Sequence, residues 1–219
     1  MVSGGILWKQ RISLMPKNTS SLVVDSLWDQ AKKGDIAVAG LYCDHRVQQK
    51  QTVTNLVGAM LKQLVCQKDI PKDLRDAFQE GERTNRGPRL VVLMELLKNA
   101  IAALPQVFIC IDGLDECLPE HLQELLESLG EIVREYPRTR IFLTGRIHVR
   151  EDILRYYPKA AVLPISPNKD DIKNYLEKKL KMDPDWEAMK NDLRDDIVKI
   201  ILEKVSEMCV RAFSISDYQ

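Results

Sequence analysis

The stretch Val107-Phe108-Ile109-Cys110-Ile111-Asp112-Gly113-Leu114-Asp115-Glu116-Cys117 constrains this chain most. Five apolar residues run unbroken into an acid, and two more acids follow within four positions. An unbroken apolar run suits a strand buried on both faces, the setting of a parallel sheet under helices. In such sheets ligands bind beyond the C-terminal ends of the strands, where Asp112, Asp115 and Glu116 would emerge. A carboxylate buried without a partner is costly. Three acids at a strand exit therefore face water, a cation or a substrate. In the functional reading Asp112 holds Mg²⁺ through water, and Asp115 or Glu116 orients or deprotonates an attacking water. Alone, the run fits a strand ending in a solvated acidic turn equally well.

A second run narrows that choice. Arg140-Ile141-Phe142-Leu143-Thr144-Gly145-Arg146 is another buried strand with a polar exit, about one helix after the acids. Taken by itself, Arg146 is simply a surface arginine after a strand. Taken with the acids, it would leave the sheet at the same edge as Asp112, and a guanidinium suits a phosphate oxygen well. Acids after one strand and a basic residue after the next form the pattern of the Walker B element and γ-phosphate sensor in P-loop NTPases.

The 219 residues suffice for one α/β domain with a core of its own. Lysine plus arginine balances aspartate plus glutamate, 32 each. Zero formal net charge leaves no footprint for nucleic acid or an anionic membrane. The five cysteines are an odd set without C-x-x-C spacing, which points to reduced thiols in a cytoplasmic protein. No apolar run approaches the length of a spanning helix. The first 17 residues lack the pattern of a secretory signal.

Along the chain, Gly5–Trp8 is a candidate first strand. Ser20 or Ser21 caps a helix through Lys33, with Val23, Leu27 and Ala31 on its stripe. Ile36–Cys43 reads as a strand. Thr52–Cys66 is an amphipathic helix with Val53, Leu56, Val57, Met60, Leu61, Leu64 and Val65 at helical spacing. Further helices are expected over Pro71–Glu80, Arg89–Ala103, Pro119–Tyr136, Val149–Tyr157, after Asn168, and over Trp186–Met208. A strand is expected over Ala161–Ile165, and the tail from Val210 shows no clear pattern. Strands alternating with helices predict a three-layer α/β/α sandwich around a parallel sheet, like that of P-loop NTPases, with a C-terminal helical extension. The divisions expected are 1–19 for a first strand and phosphate-loop region, 20–182 for the core, and 183–219 for the extension.

Ile109–Cys117 followed by Ile141–Arg146 resembles the NACHT domain of STAND signalling NTPases. The resemblance is to the type found in fungal NOD-like receptors, with its nephrocystin-type N-terminal P-loop domain. Tyr42-Cys43-Asp44-His45, Asp170–Tyr175 and Ser206–Val210 extend it over roughly residues 5–210. It implies a cytoplasmic switch controlled by Mg²⁺ with ATP or GTP, which self-associates through its core. It implies Asp112 as the metal residue, Asp115 and Glu116 as catalytic, and Lys17 and Arg146 as the nucleotide-binding cations.

One segment departs from the family. Where its G-x-x-G-x-G-K-[ST] loop belongs, this chain has Arg11-Ile12-Ser13-Leu14-Met15-Pro16-Lys17-Asn18. Lys17 falls on the motif lysine. Arg11, Leu14 and Pro16 replace glycines, and Asn18 replaces the Mg²⁺-binding hydroxyl. Glycines there let phosphate approach the backbone, whereas proline removes an N–H donor. The expected function is thus a signalling module impaired in nucleotide binding. The alternatives are an active ATP- or GTP-hydrolysing switch, if another isoform or gene model restores the loop, and a non-catalytic scaffold or regulator. Cys43-Asp44-His45 holds metal-ligand types, but successive strand residues alternate faces and do not converge. Cys117 reads as a plain thiol, because nearby carboxylates raise its pKa. Lys178, Lys179 and Lys181 read as a solvated helix end.

Overall fold

The structure, a computed structural model, describes residues 19–66, 87–165, 169–182, 191–205 and 210–215. The candidate first strand Gly5–Trp8, the segment Arg11–Asn18, the Asn168 cap and the helix expected at Pro71–Glu80 lie outside those residues.

The sheet comprises β1 (Ala37–Tyr42), β2 (Val107–Asp112), β3 (Thr139–Arg146), β4 (Ala161–Ile165) and β5 (Val210–Ile215), in the spatial order β1-β2-β3-β5-β4. The β1–β2 and β2–β3 pairs are parallel, as the apolar runs predict. The strands are joined or flanked by helices α1 (Thr19–Ala31), α2 (Val53–Val65), α3 (Leu90–Ala102), α4 (Pro119–Glu135), α5 (Arg150–Tyr156), α6 (Lys169–Lys181) and α7 (Asn191–Val205).

Strand alternation divides the side chains between two faces. Ala37, Ala39, Leu41, Val107, Ile109, Ile111, Ile141 and Leu143 enter one large core with α2, α3, α4 and α5. Val38 and Cys110, also buried, belong to the opposite face, and α1 packs against β1 and β2. The seven apolar positions expected along α2 are all buried. On α4, Pro119 opens the first turn, where a missing N–H is harmless, and Leu122, Leu125, Leu126, Leu129, Ile132 and Val133 form the inward stripe. Burying one such leucine fully is worth about 1.5–3 kcal/mol. Tyr157 is fully buried, and its hydroxyl donates to the Leu126 carbonyl at 2.6 Å, which fixes α5 to α4. On α1 the buried residue is Val24, while Val23, Leu27 and Ala31 are only half-buried.

Among the described strands β1 is the outermost beside β2, and a side chain meets its backbone there. The Gln63 amide on α2 accepts from Gly40 N and donates to Gly40 O, both at 2.9 Å. The two backbone groups of Gly40 that point away from β2 are thereby satisfied.

The far side of β3 corrects the expected order. The family resemblance implies an order in which β3 lies between the first strand and β2. Both its edges are taken by described strands, β2 on one side and β5, antiparallel, on the other. β5 also pairs antiparallel with β4, so β4 runs in the same direction as β1, β2 and β3. The tail from Val210 thus joins the main sheet instead of continuing a helical extension. The cause is a short alternation: Phe213 and Ile215 are buried, with Ser214 between them exposed. Such a period of two fits a strand, and five or six residues suffice for one.

Candidate functional site

β2 and β3 run parallel with Ile111 opposite Leu143, so their C-terminal exits share one sheet edge. Asp112 ends β2 there. The Thr144 hydroxyl, on a nearly fully buried side chain of β3, donates to Asp112 Oδ1 and accepts from Gly113 N at 3.2 Å. On the other side, Cys43 N donates to the Asp112 carbonyl at 2.9 Å. Gly113 then turns the chain with φ +74°, a left-handed conformation that disfavours a side chain by about 1–2 kcal/mol. Leu114 plugs the turn into the core with no exposure. This geometry presents Asp115 and Glu116 at the same edge.

Arg146 meets both acids. Its backbone N donates to Asp115 Oδ1 at 3.1 Å, and its Nε lies 3.2 Å from Asp115 Oδ2. Its Nη2 lies 3.8 Å from Glu116 Oε1. The approach depends on Gly145, because a Cβ there would come within 2.7 Å of a Val149 methyl and 3.5 Å of Asp115 Oδ1. The structure therefore brings Asp112, Asp115, Glu116 and Arg146 to one edge. Lys17 lies outside the described residues.

Sequence reasoning missed the segment that braces this turn. After β1 the chain forms a short 3-10 stretch, His45–Lys50, capped by Asp44. His45 Nδ1 lies 3.0 Å from Glu116 Oε2, and Gln48 Nε2 donates to the Glu116 carbonyl at 2.8 Å. Asp44 binds the Arg46 guanidinium through both oxygens, at 3.0 and 2.7 Å. Gln51 accepts from Asp44 N at 3.1 Å and donates to Asp44 O. Cys43, Asp44 and His45 lie beyond the end of β1, where Cys43 meets Cys117, Asp44 meets Arg46, and His45 Nδ1 lies 3.0 Å from Glu116 and 3.9 Å from Asp44. No pattern within residues 43–51 names Glu116, which is 68 positions from Gln48. The clue lay only in strand register, since Tyr42 stands opposite Asp112.

Cys43 and Cys117 share one hydrogen bond, Sγ to Sγ 3.1 Å. That bond holds the Cys117 thiol below its ordinary pKa, although burial, Asp115 and Glu116 push the other way. The same bond, with burial, pushes Cys43 up. The expectation that carboxylates alone would govern Cys117 is corrected by this thiol neighbour. Burial pushes the Cys110 thiol up to about 12. Tyr42 is also raised to about 12, by burial first and then by Asp112.

The donor chemistry of the edge suits a hydrated Mg²⁺. That ion takes one or two protein carboxylates and keeps waters or phosphate oxygens for the rest. Asp112 beside the Thr144 hydroxyl offers such a set. Among the described residues no group of three or more His, Cys, Asp and Glu side chains could hold a metal ion, so a metal here would rely on water and phosphate. Among the described residues, also, no helix is long and apolar enough to cross a membrane.

Searches of curated proteins and of solved structures return no match. One family model does match, that of Nephrocystin 3, N-terminal, over residues 7–146. The match spans more than half of the chain and ends at Arg146, the last residue of the edge described above. The chain therefore belongs to the Nephrocystin 3 N-terminal family.

Proposed function

We propose that this chain is a NACHT-type nucleotide-binding signalling module, of the kind found in fungal NOD-like receptors, whose hold on nucleotide is impaired. The observation that carries this reading is the meeting of Asp112, Asp115, Glu116 and Arg146 at the shared exit of β2 and β3. When bound, Mg²⁺ with ATP or GTP would supply the transferable phosphoryl group and the charge that polarises it. Asp112, oriented by Thr144, would hold the metal through water. Asp115 or Glu116 would orient the attacking water, and Arg146 would face the terminal phosphate. Arg146 is already engaged by both acids, so a phosphate must compete with two carboxylates for the guanidinium.

The impairment rests on Arg11–Asn18. Backbone N–H groups are the main cradle for phosphates in P-loop proteins, and glycines let them approach. Three of those glycine positions carry Arg11, Leu14 and Pro16. A single lysine cation such as Lys17 is a poor substitute for a preorganised loop of backbone donors.

Phosphate release from Mg-ATP and Mg-GTP tests the proposal. The unaltered chain should release phosphate at the background rate. A chain carrying Arg11→Gly, Leu14→Gly, Pro16→Gly and Asn18→Thr should gain turnover that Glu116→Gln or Asp112→Ala then removes. Turnover by the unaltered chain, lost in Asp112→Ala, would overturn the impairment. A folded rebuilt chain with no turnover would count against the acid edge as a phosphoryl-transfer site.

A further inference from the structure

We propose that Cys43 and Cys117 form an oxidisable dithiol site, which a hydroperoxide converts to a disulfide tying the exit of β1 to the acid turn. The two cysteines are 74 positions apart, so the fold, not local sequence, brings them together. Their sulfurs stand 3.1 Å apart. A disulfide needs about 2.05 Å, so closure requires a movement of roughly 1 Å.

The backbone on each side is anchored independently of the thiols. Cys43 N bonds to the Asp112 carbonyl at 2.9 Å, and Cys117 N to the Leu114 carbonyl at 3.1 Å. The His45 and Gln48 contacts to Glu116 hold the same two segments together from the solvent side. The sulfurs therefore face each other without needing the crosslink. Cys43 is partly exposed and Cys117 is buried, so a small oxidant enters the pair from the Cys43 side.

The chemistry balances with one peroxide. One sulfur of the pair, as thiolate, takes one oxygen from the hydroperoxide, the O–O bond breaks, and an alcohol or water leaves. That cysteine is then a sulfenic acid. The other sulfur attacks it, the S–S bond forms, the S–O bond breaks, and water leaves with the second thiol's proton. Two electrons pass from the thiol pair to the peroxide. Cys66 lies exposed at the end of α2 and Cys110 lies buried within β2, so both serve as internal controls. The proposal stands independently of nucleotide binding.

The test uses the full chain, treated with hydrogen peroxide, alkylated, digested without reductant and mapped by mass spectrometry. The expected product is a Cys43–Cys117 crosslinked peptide pair, lighter than its two reduced parts by two hydrogens and reversed by dithiothreitol. Cys110 should remain available for alkylation once the chain is denatured. Cys43→Ser and Cys117→Ser should each abolish that product while keeping the circular dichroism of the unaltered chain. The crosslinked chain should melt several degrees above the reduced one, because a long loop is closed in the unfolded state. Three results would each overturn the proposal. The thiols could stay separately alkylatable, they could pair mainly with other cysteines, or the crosslink could form equally well in urea-unfolded chain.

Discussion

Thr144 and Asp112 are joined side chain to side chain across neighbouring parallel strands, and the same hydroxyl accepts the Gly113 N–H at 3.2 Å. One buried oxygen thereby orients the candidate metal carboxylate and starts the turn that carries Asp115 and Glu116. Thr144→Val keeps the shape but leaves Asp112 and Gly113 N without this partner. Unsatisfied buried polar groups cost about 1–3 kcal/mol each. Urea unfolding should show a loss in that range for Thr144→Val, and a much smaller one for Thr144→Ser. Equal stability of the two variants would remove the hydroxyl from the account.

Asp115 and Arg146 differ sharply in exposure, 7% against 57% for the side chains. The ion pair itself is therefore screened and worth about 1 kcal/mol or less. Asp115 also receives the Arg146 backbone N–H, which survives truncation of the arginine side chain. Asp115→Ala should thus destabilise more than Arg146→Ala. A double-mutant cycle should return a coupling of roughly 0.5–1 kcal/mol, falling with added salt. A larger loss from Arg146→Ala would show that the arginine side chain carries more packing than its exposure allows.

Tyr42 gives a pH signature. Its folded-state pKa is raised from 10.0 to about 12 by burial and by Asp112. Below pH 10 the phenol is neutral in both states, and its contribution is fully present. Between about pH 10 and 12 the unfolded chain ionises while the folded one does not, so stability falls as pH rises through that window. Melting temperatures across it should drop more steeply for the unaltered chain than for Tyr42→Phe. Parallel curves would mean that Tyr42 titrates as in water.

Much of the sheet was legible because burial on both faces leaves an unbroken apolar signature. Val107–Ile111 and Arg140–Thr144 were read as strands, and α2 and α4 buried the stripes their spacing marked out. The shared edge of Asp112 and Arg146 followed from parallel pairing. β5 escaped because six residues of alternation are a weak signal beside the long helical pattern before them. Its place between β3 and β4 is set by two open strand edges far away in sequence. The bracing of Glu116 by His45 and Gln48, and the meeting of Cys43 with Cys117, escaped for the same reason. Such contacts depend on register across strands, and no local periodicity encodes them.

The central proposal is that the chain keeps the acid edge while Arg11–Asn18 lacks the glycines of a phosphate loop. Isothermal titration of the unaltered chain with Mg-ATP and Mg-GTP measures this most directly, beside the chain rebuilt with Arg11→Gly, Leu14→Gly, Pro16→Gly and Asn18→Thr. The predicted result is weak or undetectable heat from the unaltered chain and clear saturable binding after rebuilding. Micromolar binding by the unaltered chain that disappears in Asp112→Ala would contradict the account.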